Sequence, residues 1–371
     1  MDPPERLRGV AGTVGDALVS PSERRLRSPI RLLGGGIALL VAVLAAQLLV
    51  VLAVGPSTFD PTSPVVFGAT VSAAGVAVCA TLYPVARYVD RRRVVDYGLR
   101  IDRDWWIDLG FGLALGVALQ ALVFVAGWAA GWTTVVDTFR SPGAFLPAFA
   151  GLVALFVVVG VYEELLVRGW LLTNLAEGLR FTGRGPAVLV ALVLSSGVFG
   201  LLHAGNPGAT ALSITVISFA GVLLAAGYLL TGELAIPIGI HVTWNLAQGG
   251  LFGHGVSGLD VTVTVLATET TGPVLWTGGG FGPEGGLLGL FAVGLGCVAV
   301  AAWVRIRTGD VRLHPAVTTP ALRGDRSTDA TEAVASSSAA GAAIGTETDS
   351  DLDAIETDPD ATETAPDAAD R

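Results

Sequence analysis

Lysine is absent from these 371 residues, and cysteine, methionine and histidine number only two, one and four. Each shortage excludes something. Cys79 and Cys297 both lie inside apolar stretches, so they make neither a disulfide framework nor a zinc knuckle and read as small packing residues. With no lysine, all positive charge is arginine, scattered along short segments between apolar runs rather than gathered on one face. Nucleic acid is therefore excluded as a partner. Charged residues are only 15% of the chain against 52% hydrophobic, and the mean hydropathy of +0.65 is too high for a soluble protein. No cleavable signal peptide is expected, because residues 1–30 are polar and arginine-bearing with no short apolar core.

What is present is a series of long apolar runs, the signature of membrane spans. About eight are expected, over 31–54, 65–88, 106–131, 145–168, 187–204, 209–230, 234–251 and 285–304. This is an all-α, polytopic transmembrane bundle in the lipid bilayer. Residues 1–30 are expected to form a flexible cytoplasmic arm, 31–306 the transmembrane domain and 307–371 a disordered acidic tail. Residues 321–371 hold 13 acids and three arginines, a net −10 that equals the charge of the whole chain. An acidic, lysine-free composition fits a salt-adapted organism such as a halophilic archaeon.

Arginine placement orients the spans. With both termini in the cytoplasm, the inner segments carry Arg24, Arg25 and Arg27, then Arg91 to Arg93, Arg100 and Arg103. Arg180, Arg184, Arg305, Arg307 and Arg312 follow on the same side, and only Arg140 falls outside. The alternation and the arginine bias agree.

Three motifs interrupt the apolar runs: Glu163-Glu164-x-x-x-Arg168, Phe199-x-x-x-His203 and His241-x-x-x-Asn245. An ionisable group at a helix centre in hydrocarbon costs roughly 2.5–3.5 kcal/mol on insertion scales, so such groups mark function by default. Adjacent glutamates on a helix point about 100° apart. Glu164 stands four residues before Arg168, the favourable order for a helical ion pair, which leaves Glu163 free for chemistry. Taken alone, that cluster also reads as a snorkelling helix end, and a lone membrane histidine as a structural one. A glutamate and a histidine can jointly activate water, while a second histidine and an asparagine can stabilise an oxyanion. The same Glu163, His203 and His241 could instead hold a divalent metal such as zinc. The helix lacks His-Glu-x-x-His spacing, so metal is not required.

The ordered set, each motif in a successive apolar helix over the motif core 145–250, resembles the CPBP family of intramembrane proteases. That family includes the type II CAAX prenyl endopeptidases and the Abi-like immunity proteins. The resemblance implies that Glu163 and His203 activate water, that His241 and Asn245 form the oxyanion site, and that Glu164, Arg168 and Phe199 support them. It further implies an enzyme, an endopeptidase acting on a membrane-anchored protein or peptide, with prenylated chains among the candidate substrates. The rival readings are a non-catalytic scaffold or immunity-type protein of the same fold, and a proton-coupled transporter. No second copy of the motifs supports the paired repeats that many transporters show.

One tension follows from the expected boundaries. If the fourth span ends at 168, Glu163 lies near its inner end, whereas a full fifth span puts His203 near its outer end. The two meet only if 176–195 dips into the membrane or the fifth helix begins deep, with Ser195-Ser196-Gly197 as a candidate weak point. Two strings are set aside. Gly280-x-Gly-x-x-Gly285 has no preceding strand and is a loop, and Gly112-x-x-x-Gly116 reads as close helix packing.

Overall fold

The computed structural model describes residues 18–20, 23–319 and 322. Most of the expected arm and acidic tail lies outside these described residues. A short hairpin (β1, Val19–Ser20; β2, Arg25–Leu26) leads into α1, Ser28–Val54. The helices α2 (Pro64–Val89), α3 (Arg103–Ala129), α4 (Phe145–Gly178), α5 (Arg184–Leu202) and α6 (Ala211–Thr231) follow. Then come α7 (Ala235–Asn245) and α8 (Leu287–Thr308). Strands β3 (Thr133–Arg140) and β4 (Thr264–Thr270), from the links that follow α3 and α7, pair antiparallel.

Local chemistry sets the helix ends. Pro29 and Pro64 occupy first-turn positions where a missing N–H is harmless. Asp102 caps α3 by accepting from the Trp105 amide, and Thr210 with Ser213 forms a capping box on α6. Gly232 closes α6 and Gly309 closes α8, both in the left-handed region.

Among the described residues seven helices, α1 to α6 and α8, are long and apolar enough to cross a membrane. The expected span 234–251 is the exception. It is an eleven-residue α-helix continued by the six-residue π-turn Leu246–Leu251. Every residue of α7 is buried, so it is the central post of the bundle. By contrast α1 leaves large aliphatic side chains such as Leu33 (67%) and Leu49 (66%) exposed, as a lipid-facing helix does. On α3, exposed Trp106 and Trp128 stand 22 residues apart, about 33 Å at 1.5 Å per residue. That separation matches the two aromatic belts of a bilayer.

The glycine seam of α3 packs inside the bundle. A Cβ on Gly112 would lie 2.5 Å from the Ile236 carbonyl oxygen, and one on Gly116 would collide with the Thr243 hydroxyl. Only glycine lets α3 approach α7 this closely. Thr243 Oγ1 also donates to the Leu113 carbonyl at 2.8 Å, holding the helix turn that carries His241.

Three boundaries differ from the sequence expectation, because polar groups find partners far away in the chain. The fourth helix does not stop at 168; it continues through a π-segment, Leu165–Leu172, to Gly178. The polar residues that appear to end the span are satisfied by distant partners. Asn174 Nδ2 donates to Asp90 Oδ2 at 3.0 Å, and Glu177 takes Arg25 at 3.0 Å and Arg31 at 3.2 Å. Arg92 pairs with Glu177 and Tyr97 donates to Asp90 in the same buried cluster. Order therefore begins before residue 30, with Arg25 buried. It also persists beyond 307: His314 N–H donates to the Leu229 carbonyl at 2.8 Å, and Val317 is buried.

The longer α4 removes the Glu163–His203 tension. Glu163 lies 15 residues from Gly178 and His203 lies 19 from Arg184, about 22 and 28 Å from the same helical hairpin. About one helical turn apart in depth, both line one cavity without a re-entrant loop. Helix α5 is continuous through Ser195-Ser196-Gly197, and Ser196 packs against Gly221 of α6.

Candidate active site

The three motifs converge where α4, α5 and α7 meet. Glu163 and Glu164 diverge as neighbouring helical residues must. The Glu164 side chain is fully buried, whereas that of Glu163 is 18% exposed and lines a cavity of about 430 Å³. Phe199, His203, His241 and Asn245 line the same cavity. Glu164 and Arg168 sit behind it.

Glu164 serves two partners through one oxygen. Arg168 Nη1 donates to Glu164 Oε1 at 2.7 Å, and His241 Nδ1 reaches the same oxygen at 2.7 Å. Arg168 is itself fully buried. Its second nitrogen donates to the Gly221 carbonyl at 3.2 Å, and its guanidinium lies 4.3 Å over the Phe199 ring. A planar, forked cation can make an ion pair, a backbone hydrogen bond and a ring contact at once. Phe199 thereby links the motifs, with ring-centre distances of 5.0 Å to His203 and 5.8 Å to His241.

With Nδ1 committed to Glu164, His241 Nε2 is its free nitrogen, 3.8 Å from Glu163 Oε2. The other Glu163 oxygen accepts from Tyr162 O–H at 3.1 Å. His203 Nδ1 lies 2.8 Å from the Phe199 carbonyl oxygen. A carbonyl only accepts, so Nδ1 carries the proton and Nε2 holds a lone pair.

Among the described residues, no three His, Cys, Asp or Glu side chains converge as metal ligands do. His241 already spends one nitrogen on Glu164. A carboxylate behind a histidine is also how a metal ligand is oriented, so His241 keeps Nε2 for the cavity.

Sequence reasoning misses part of the cavity wall. Glu284, from the segment set aside as a Gly-rich loop, lines the cavity and is buried. It accepts from Trp244 Nε1 at 3.1 Å, from Ser257 Oγ at 2.7 Å and from the Ser257 amide. Ser257 has a φ of 49°, the left-handed region that a serine enters only when held there. Asn206 Nδ2 donates to the Ser257 carbonyl at 2.9 Å. The turn around Ser257 thus roofs the cavity and is fastened on both sides. The one available signal is that Glu284 is a solitary acid between an apolar loop and the last span.

The seven membrane-length helices among the described residues define a polytopic integral membrane protein. Residues 145–247 match the family described as type II CAAX prenyl endopeptidase Rce1-like, so α4 to α7 form an Rce1-like domain. No curated protein and no solved structure matches the chain.

Proposed function

We propose that this protein is an intramembrane endopeptidase that hydrolyses a peptide bond of a membrane-anchored polypeptide. The observation that carries the reading is the convergence of Glu163, His203, His241 and Asn245 on one cavity, with His241 held from behind by Glu164 and Arg168.

In this mechanism a water molecule lies between Glu163 and His203. The carboxylate takes one of its protons while His203 Nε2 accepts a hydrogen bond from the other. The water oxygen bonds to the scissile carbonyl carbon and the carbonyl electrons move onto its oxygen. Asn245 Nδ2–H and His241 Nε2–H donate to that oxyanion. For this His241 acts with both nitrogens protonated, Nδ1–H donating to Glu164, and Glu163 and Glu164 supply the compensating negative charge. The intermediate collapses, the C–N bond breaks, and the proton held by Glu163 passes to the departing amine. The apolar wall from α2 and α4, with Phe67, Val71 and Val159, accommodates the anchoring lipid or apolar segment of the substrate. The arginine bias places the ends of α1 and α8 that carry Arg31 and Arg307 in the cytoplasm.

The test compares membrane-protein termini in wild-type cells and in cells carrying Glu163→Gln or His203→Ala at normal abundance. Peptide ends that vanish in both variants identify a proteolytic activity and its substrate. Unchanged ends sink the peptidase reading in favour of a scaffold.

A further inference from the structure

We infer that Tyr162 is a positioning residue for the reacting carboxylate, fixing which oxygen of Glu163 faces the scissile bond, and that Gly75 of α2 makes the seat that holds it. The catalytic consequence rests on the peptidase reading; the hold on the carboxylate does not.

Glu163 lacks the close ionic support of its neighbour. Glu164 is pinned by Arg168 and His241 on one oxygen. Among the described residues, the side chain that hydrogen-bonds to Glu163 is that of Tyr162, with its hydroxyl oxygen 3.1 Å from Oε1. A carboxylate only accepts, so the phenol donates, in a charge-assisted bond. The last torsion of a glutamate is broad and roughly two-fold, so without a donor the two oxygens exchange places freely. With Oε1 tied to Tyr162, Oε2 is the oxygen turned toward His241 Nε2, 3.8 Å away. Oε2 is then the atom that takes the proton of the attacking water.

Residues adjacent on a helix point about 100° apart, so a side chain seldom turns back on its neighbour. Tyr162 does so with its ring held against α2. The ring packs at Gly75, where a Cβ would lie 2.8 Å from Tyr162 Cδ1 and 2.8 Å from Val158 Cγ1, one turn earlier on α4. Glycine inside a helix is destabilising relative to alanine, and the ring accounts for its presence here. Phenylalanine would serve that packing equally well; the hydroxyl is what reaches Glu163. Ala74 and Val78 of α2 line the cavity beside Tyr162 and Glu163. The orientation of the reacting carboxylate therefore depends on a helix outside residues 145–247.

The apolar reagent dicyclohexylcarbodiimide, which reacts with a protonated carboxyl, tests the hold without catalysis. A donor favours the charged carboxylate. Its loss in Tyr162→Phe should raise labelling of Glu163 at fixed pH about tenfold, with the modified residue located by peptide fragmentation. Access is checked separately. With Cys79 and Cys297 replaced by alanine, Glu163→Cys should react with N-ethylmaleimide at the same rate with or without Tyr162→Phe. Gly75→Ala, which crowds the ring, should raise Glu163 labelling too, and should add nothing on top of Tyr162→Phe. Unchanged labelling in Tyr162→Phe overturns the inference, as does a rise matched by faster maleimide reaction. Additive effects of the two variants overturn the seat. On a substrate whose ends vanish in Glu163→Gln cells, Tyr162→Phe should lower kcat about tenfold with KM little changed, and an unaltered kcat overturns the catalytic consequence. If no ends vanish in Glu163→Gln cells, the peptidase reading fails while the labelling still decides the hold on the carboxylate.

Discussion

Replacing Arg168 with methionine keeps an unbranched apolar stem and removes the guanidinium, leaving Glu164 buried without its cation. Breaking a buried ion pair from one side costs about 3–5 kcal/mol, because the remaining charge stays desolvated. The lost bond to the Gly221 carbonyl and the contact over Phe199 push the effect toward the upper end. At about 2–4 °C per kcal/mol for a domain of this size, Arg168→Met should lower Tm by about 6–20 °C. Unfolding in detergent can be followed by the fluorescence of the eight tryptophans. Adding Glu164→Gln removes the stranded charge, while the glutamine oxygen still accepts from His241 Nδ1. The double variant should recover more than half of the loss. Arg168→Lys keeps the charge but forfeits the fork and the flat ring contact, and should fall between. A single variant within about 1 kcal/mol of wild type, or a double variant no more stable than the single, would refute the reasoning.

Removing the Glu284 carboxylate with Glu284→Ala orphans Ser257 N–H, Ser257 O–H and Trp244 Nε1–H. We expect about 2–4 kcal/mol of destabilisation and a new protease-sensitive site near Ser257; an unchanged cleavage pattern would rule out a fastened roof. Two groups outside the spans should give opposing pH dependences. Burial pushes the Glu233 carboxyl up to about 7 against its ordinary 4.5, with Arg100 only partly offsetting and Asp102 and Asp96 adding to the rise. The folded state then keeps a proton that the unfolded chain has released, so this group's stabilising contribution falls as pH rises from about 4.5 through about 7. Burial pushes His254 down to about 4 from its ordinary 6.5, so its contribution falls as pH drops from about 6.5 to about 4. Glu233→Gln should flatten only the first slope of Tm against pH, and His254→Phe only the second. An unchanged profile in either variant contradicts the assignment.

The spans and the motif pairs were legible because they are local. Apolar runs of membrane length need no partner to be recognised, and residues four apart on a helix share a face, which joins Glu164 to Arg168 and His241 to Asn245. The continuation of α4 was not legible. Arg168, Asn174 and Glu177 look like the polar end of a span until Arg25, Arg31 and Asp90 are seen to satisfy the latter two from outside the helix. Glu284 was invisible for the same reason, since its donors stand 27 and 40 residues away.

The sequence by itself determined that this chain is a bundle of membrane helices, which of its ends carry arginine, and which polar side chains interrupt its apolar runs. Those follow from transfer energies and helical periodicity, properties of each segment alone. Only the tertiary structure decided that Glu164 holds His241 while Glu163 faces the cavity. It also decided that His203 and Glu163 line one cavity and that the roof comes from beyond residues 145–247. Each of these depends on polar groups finding partners across the bundle, and a buried charge takes its role from what compensates it rather than from its neighbours in the chain.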